Sequence, residues 1–97
     1  MMKRQGDILF VKIDVLPESL AAKDDGVIAL GEQTGHKHLL VDGSLLTDKQ
    51  NNMFITVTSE LATIKHEEHR AITLPKGLYR VIKQREYDPE GWRDVKD

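Results

Sequence analysis

Met53-Phe54-Ile55-Thr56-Val57-Thr58 is the stretch whose reading decides the fold class. Its residues are β-branched or aromatic and alternate with a period of two. Ile55 and Val57 share one face and Phe54 takes the other, which is the signature of a β-strand. Leu61 to Lys65 resumes the pattern after Ser59-Glu60. Toward the N-terminus, Asp48 to Asn52 reads as a polar loop and Leu45 to Thr47 as a short strand. Asp42-Gly43 is a hairpin signal. His36 to Val41 is extended, and Gly31 to Gly35 is a glycine-bracketed turn or bulge. Val27 to Leu30 forms a strand entered through Gly26, and Glu18 to Asp25 a loop or single helical turn. The first strand is predicted over Asp7 to Val15 and stops before Pro17, which cannot donate to a ladder. Toward the C-terminus, His66 to His69 is a turn, Ala71 to Leu74 a short strand and Pro75-Lys76-Gly77 a turn. Leu78 to Tyr87 is the longest predicted strand. Asp88-Pro89-Glu90 carries an N-cap, a first-turn proline and an early carboxylate, predicting a short helix to about Val95, anchored by Trp92. The expected architecture is all-β, a small antiparallel barrel or sandwich with a short C-terminal helix.

The chain has 97 residues, a length that suits one domain over 1–97. With no cysteine, disulfides, thiolate metal sites and a cysteine nucleophile are excluded. That usage suits a reducing compartment, so a cytoplasmic location is the expectation. No apolar run reaches the length of a membrane span, and the basic start Met1-Met2-Lys3-Arg4 precedes no signal-peptide core. The formal net charge of −2, with both signs interspersed, argues against a protein that coats nucleic acid.

The four histidines fall in two tight pairs, His36/His38 and His66/His69. In an extended segment, alternation puts His36 and His38 on one face, with roughly 6–7 Å between their Cα atoms. Two such imidazoles can converge on one ion, because each ring nitrogen sits about 2.0–2.1 Å from a zinc. His66 and His69 share a face only if His66-Glu67-Glu68-His69 is a turn. Glu67 and Glu68 are then a nearby additional ligand or a general base. Together these groups make a nitrogen and oxygen site suited to a divalent transition metal, with zinc, iron, manganese, nickel and copper undistinguished. Only two residues separate His66 from His69, so this is not the metalloprotease H-E-x-x-H. The alternatives are hydrogen-bonding histidines lining a small-molecule pocket without metal, and exposed histidines without a role.

Arg80, Lys83 and Arg85 form a candidate anion patch, weighed against a solvated, salt-bridged strand face with Glu86 and Asp88 as partners. No Walker loop, dinucleotide fingerprint or nucleophile elbow is present, and no reaction is indicated.

The run Gly31 to His38, then His66-Glu67-Glu68-His69, Leu74-Pro75-Lys76-Gly77-Leu78-Tyr79 and Gln84-Arg85-Glu86-Tyr87 resembles a group of small bacterial and phage proteins of uncharacterised activity. The resemblance extends to Arg4-Gln5-Gly6-Asp7. A weaker similarity is to the cupins, metal-binding β-barrels, through the H-x-H of His36-Lys37-His38 and the P-x-G of Pro75-Lys76-Gly77. Asp42 stands where the cupin motif has glutamate, and Arg80 where its second motif has histidine. The second histidine pair also precedes the P-x-G. The likeness implies a cupin-like or jelly-roll-like barrel with a histidine site and transfers no catalytic residue. The functional expectation is a small β protein binding a divalent metal or small ligand through its histidines. The alternative is a non-enzymatic, metal-free accessory module of bacterial or phage origin that associates with itself as a homo-oligomer or with a protein partner.

Overall fold

The computed structural model describes residues 2–30 and 37–83. Eight strands follow in order: β1 (Met2–Gln5), β2 (Ile8–Ile13), β3 (Ala21–Ala22), β4 (Val27–Leu30), β5 (Lys37–Val41), β6 (Ser44–Thr47), β7 (Met53–Lys65) and β8 (Ile72–Lys83). All pairings are antiparallel, and the sheet runs β1-β2-β8-β7-β5-β4, with β6 on β7 and β3 on β6. The all-β antiparallel expectation holds. Among the described residues the path of main-chain pairing stays open, with β1 and β4 at its ends. The predicted helix after Asp88 and the end of the last strand, Gln84 to Tyr87, lie outside the described residues, as does His36.

The long strands β7 and β8 organise the sheet. Their register runs from Met53↔Val81 to Val57↔Gly77 and resumes at Leu61↔Pro75, so residues 58–60 oppose Lys76 alone. That bulge changes the phase of alternation. Ile55 and Val57 before it, and Ala62 and Ile64 after it, are all buried, although the two pairs have opposite parity. In β8, Leu74 and the pair Tyr79/Val81 switch phase in the same way. Both halves of each strand thereby feed one core with Ile8, Phe10, Ile28, Leu40 and Leu45.

The crease corrects two sequence expectations. Pro75-Lys76-Gly77 is not a chain-reversing turn; it lies inside the continuous strand β8. Proline is tolerated there because it sits beside a bulge. Gly77 takes φ +150°, and the buried Tyr79 hydroxyl donates to the Pro75 carbonyl at 2.6 Å. Asp42-Gly43 is not a hairpin either. Strands β5 and β6 both run antiparallel to β7 along the same edge, at Val41↔Thr63 and Ser44↔Thr56. Asp42, at φ +66°, therefore kinks one interrupted strand where β7 bulges. Ser59 Oγ donates across the kink to the Asp42 carbonyl at 3.3 Å.

The N-terminus differs as well. The strand expected over Asp7 to Val15 spans Ile8–Ile13, and β1 precedes it as an additional strand. Gln5↔Ile8 closes a two-residue turn, with Gly6 at φ +62°, the glycine-first arrangement of tight hairpins. Within Glu18 to Asp25, the short β3 pairs with β6.

Candidate functional site

The candidate site forms at one end of the sheet, where three segments meet: the β1–β2 turn, the start of β5 and the β7–β8 connection. His38 lies on the inward face of β5 with Leu40, and only 6% of it is exposed. Residues 66–69 leave the strand, as a shared site requires. His66 Nδ1 accepts the backbone N–H of Glu68 at 3.0 Å and of His69 at 3.2 Å, which holds the segment in a turn. The turn returns His69 toward His66, with ring centroids 4.5 Å apart. His38 completes the group, its centroid 4.4 Å from His66 and 6.2 Å from His69.

Gln5 organises the cluster. It is 2% exposed, and its amide spans three chain segments. Nε2 donates to the carbonyls of Ile64 and Arg70, each at 2.9 Å. Oε1 lies 2.8 Å from His38 Nδ1. The two carbonyls only accept, so they use both amide hydrogens and set the orientation of the amide. The atom facing His38 is then an acceptor, and Nδ1 must carry the proton. When His38 is neutral, its lone pair is on Nε2. This is the way a neighbouring acceptor prepares an imidazole for ligation or base chemistry at its other nitrogen. The same amide ties β1 to the end of β7, a contact that main-chain pairing does not make.

His38 is also held toward the neutral form. Burial is the largest cause lowering its pKa from the ordinary histidine value, followed by the positive charge on His66 and then on His69 when they protonate; Asp7 and Glu67 oppose these effects. Gly6 completes the floor. A Cβ at this residue would stand 2.9 Å from His69 Nε2 and 3.5 Å from His38 Cε1, so the rings occupy space that only glycine leaves open.

With zinc about 2.0–2.1 Å from each nitrogen, two tetrahedrally disposed imidazoles place their centroids roughly 5 Å apart. The His38 and His69 rings, at 6.2 Å, stand somewhat wider than that, and His66 lies 4.4 Å from one and 4.5 Å from the other. The rings of His38 and His69 lie within 14° of parallel. Among the described residues, no three histidine, aspartate or glutamate side chains stand ready to hold a metal as they lie.

The remaining sequence candidates divide. Glu67 Oε1 accepts the Lys37 backbone N–H at 2.9 Å, tying the turn to β5. Glu68 is exposed in the turn. A groove of about 220 Å³, lined by Lys37, Leu39, Lys65, His66 and Glu67, opens beside His66. Arg80 pairs across to Val11 and Phe54 within the sheet, and Lys83 stands at the strand end opposite Ile8. Three residues apart in a regular strand, they fall on opposite faces; Arg85 lies outside the described residues. Gln5 and Gly6 were not candidates from sequence. The available signal was the position of Gly6-Asp7 between two segments able to pair, which puts Gln5 at a strand end.

Residues 4–84 match a domain of unknown function, DUF8820. The chain belongs to that family. The match takes in Gln5, Gly6 and all four histidines, so the whole cluster falls inside the DUF8820 domain. Neither a curated protein sequence nor a solved structure matches the chain. Among the described residues of this DUF8820 domain, no helix is long and apolar enough to cross a membrane.

Proposed function

We propose that this DUF8820 domain binds a divalent transition metal through its histidine cluster, with His38 Nε2 as the anchoring donor. The observation that carries the reading is the Gln5–His38 contact at 2.8 Å. It presents a buried imidazole in the ligating tautomer, within 6.2 Å of two further rings. A binding site benefits from such an arrangement, because the ring is oriented before the ion arrives. His69 is the second ligand. The sequence adds His36, two residues from His38, as a third. Glu67 and Glu68 are the carboxylates near enough in sequence to complete the shell. The cupin likeness supports this reading only through His36-Lys37-His38, since Pro75-Lys76-Gly77 stands in the crease of β8. The donor set suits zinc, iron, manganese, nickel or copper.

The test is titration of metal-free protein with Zn²⁺ by calorimetry, repeated with His38→Ala and His69→Ala, with Co²⁺ spectra to report coordination number. Saturable binding by the wild type that both variants lose supports the reading. Equal binding by all three proteins, or none by the wild type, refutes it. A second reading is self-association through a sheet edge. Among the described residues the paired path ends at β1 and β4, and Met2 on β1 is 61% exposed. Unpaired edges template further pairing, and light scattering on the free protein distinguishes a monomer from an oligomer.

A further inference from the structure

We propose that His66 is a positioning residue of the histidine site and not one of its ligands. This rests on the metal-binding reading above but is carried by a separate observation, the hydrogen bonding of the turn. Backbone N–H groups only donate, so a ring nitrogen that receives two of them carries no proton. His66 Nδ1 receives those of Glu68 and His69. In the neutral ring the proton is then on Nε2, and a protonated nitrogen cannot ligate. The Nδ1 lone pair is already committed to the turn. Neither nitrogen of His66 is therefore open to a metal while the turn stands.

His38 has the opposite tautomer. Gln5 accepts from its Nδ1, which leaves Nε2 as the donor atom. Two rings 4.4 Å apart thus have different tasks. The ring of His38 keeps its electron pair on Nε2. The ring of His66 caps the segment behind it, much as an aspartate or asparagine caps a turn. One of the two bonds holds the backbone of His69 itself. The cap thereby sets where the His69 ring lies, against Gly6 and 6.2 Å from His38. The histidine pair read from sequence as two equivalent ligands separates into a ligand and the residue that aims it.

The test compares His66→Asn with His66→Ala. Asparagine Oδ1 stands on Cγ, as Nδ1 does, and accepts the same two N–H bonds, but it is a poor metal ligand. For a positioning role, Zn²⁺ affinity of His66→Asn stays within about threefold of wild type, whereas His66→Ala loses about 10–100-fold, the usual cost of removing a group that orients a ligand. His38→Ala and His69→Ala lose saturable binding. If His66→Asn loses Zn²⁺ as completely as His38→Ala, His66 is a ligand and the proposal falls.

A second readout is independent of metal. Long-range ¹H–¹⁵N spectra of the metal-free protein, below saturation of any protonation step, should show Nε2–H at His66 and Nδ1–H at His38. Nδ1–H at His66 overturns the proposal whether or not zinc binds. A wild type that binds no zinc but shows the expected His66 tautomer, with amide exchange at Glu68 and His69 slowed in His66→Asn relative to His66→Ala, refutes the metal reading and leaves the turn-capping role in place.

Discussion

Replacing Gln5 by leucine tests the join between fold and site. Leucine has nearly the same volume, so the substitution removes the amide chemistry with little change in packing. Three hydrogen bonds disappear, to His38 Nδ1 at 2.8 Å and to the carbonyls of Ile64 and Arg70 at 2.9 Å each. A net hydrogen bond contributes about 1 kcal/mol, and a buried donor left without a partner costs about 1–3 kcal/mol. The two carbonyls lose one donor each but keep a second lone pair, so the His38 N–H bears the larger penalty. Added apolar burial by leucine offsets part of the loss. The expected destabilisation is about 3 kcal/mol, a large share of the roughly 5–15 kcal/mol that holds a domain together. For a chain of this size that corresponds to a melting point lower by about 12–24 °C. Urea denaturation followed by circular dichroism measures it, with an unchanged slope required for the comparison. An unfolding free energy within about 0.5 kcal/mol of wild type would refute the reasoning, since it would mean that the amide does not hold the three segments together. Gln5→Glu separates the bonds: a carboxylate still accepts from His38 but cannot donate to both carbonyls. It should raise the His38 pKa while still destabilising the fold.

Further expectations follow from single contacts. Gly6→Ala places a Cβ 2.9 Å from His69 Nε2 at φ +62°; it should cost about 1–3 kcal/mol and shift the His69 ring resonances, checked by denaturation and NMR. Tyr79→Phe removes the 2.6 Å bond to Pro75 across the crease, with a loss of about 1 kcal/mol in the same denaturation assay. Leu74→Ala opens a cavity at a fully buried position and should cost about 2–5 kcal/mol. His38 gives a pH dependence of defined sign: its folded pKa is lowered, so the unfolded chain binds the extra proton. Its contribution is complete above the unfolded value of about 6.5 and is lost as pH falls from there through the folded pKa. In the metal-free protein, stability should therefore decline below about pH 6.5, by at most roughly 1.4 kcal/mol per pH unit for this proton, and His38→Gln should flatten that part of the profile.

Local alternation was legible wherever it sufficed. Met53 to Thr58 reads as a strand because its side chains alternate between two faces; Ile55 and Val57 are buried in the core, and Phe54, of the other parity, is buried too. The bend was not legible. Pro75-Lys76-Gly77 and Asp42-Gly43 carry turn chemistry, and the local signal is the same whether the chain reverses or creases. Only the partner strand decides. Here the bulge at 58–60 in β7 supplies a matching bend, so both motifs continue the strand direction. The short β1 was hidden for another reason: Lys3 and Arg4 give it no apolar face, and it exists by pairing with β2.

The site was partly legible in the same sense. The spacing of His66 and His69 left a strand and a turn open, and the deciding interaction is within the segment itself, from His66 Nδ1 to the following backbone. Gln5 was invisible because burial of a polar side chain depends on contacts distant in sequence, here with residues 38, 64 and 70. An amide at a strand end looks like solvated surface until those partners are in place.

The most direct test of the central claim is the ring nitrogen spectrum of His38 during a Zn²⁺ titration of ¹⁵N-labelled protein. The expected result is Nδ1–H in the metal-free protein and a shift of Nε2 that saturates with added zinc while Nδ1 keeps its proton. A proton on Nε2 before zinc, or His38 ring resonances that do not move with excess zinc, would contradict the assignment of His38 as the donor that Gln5 holds in place.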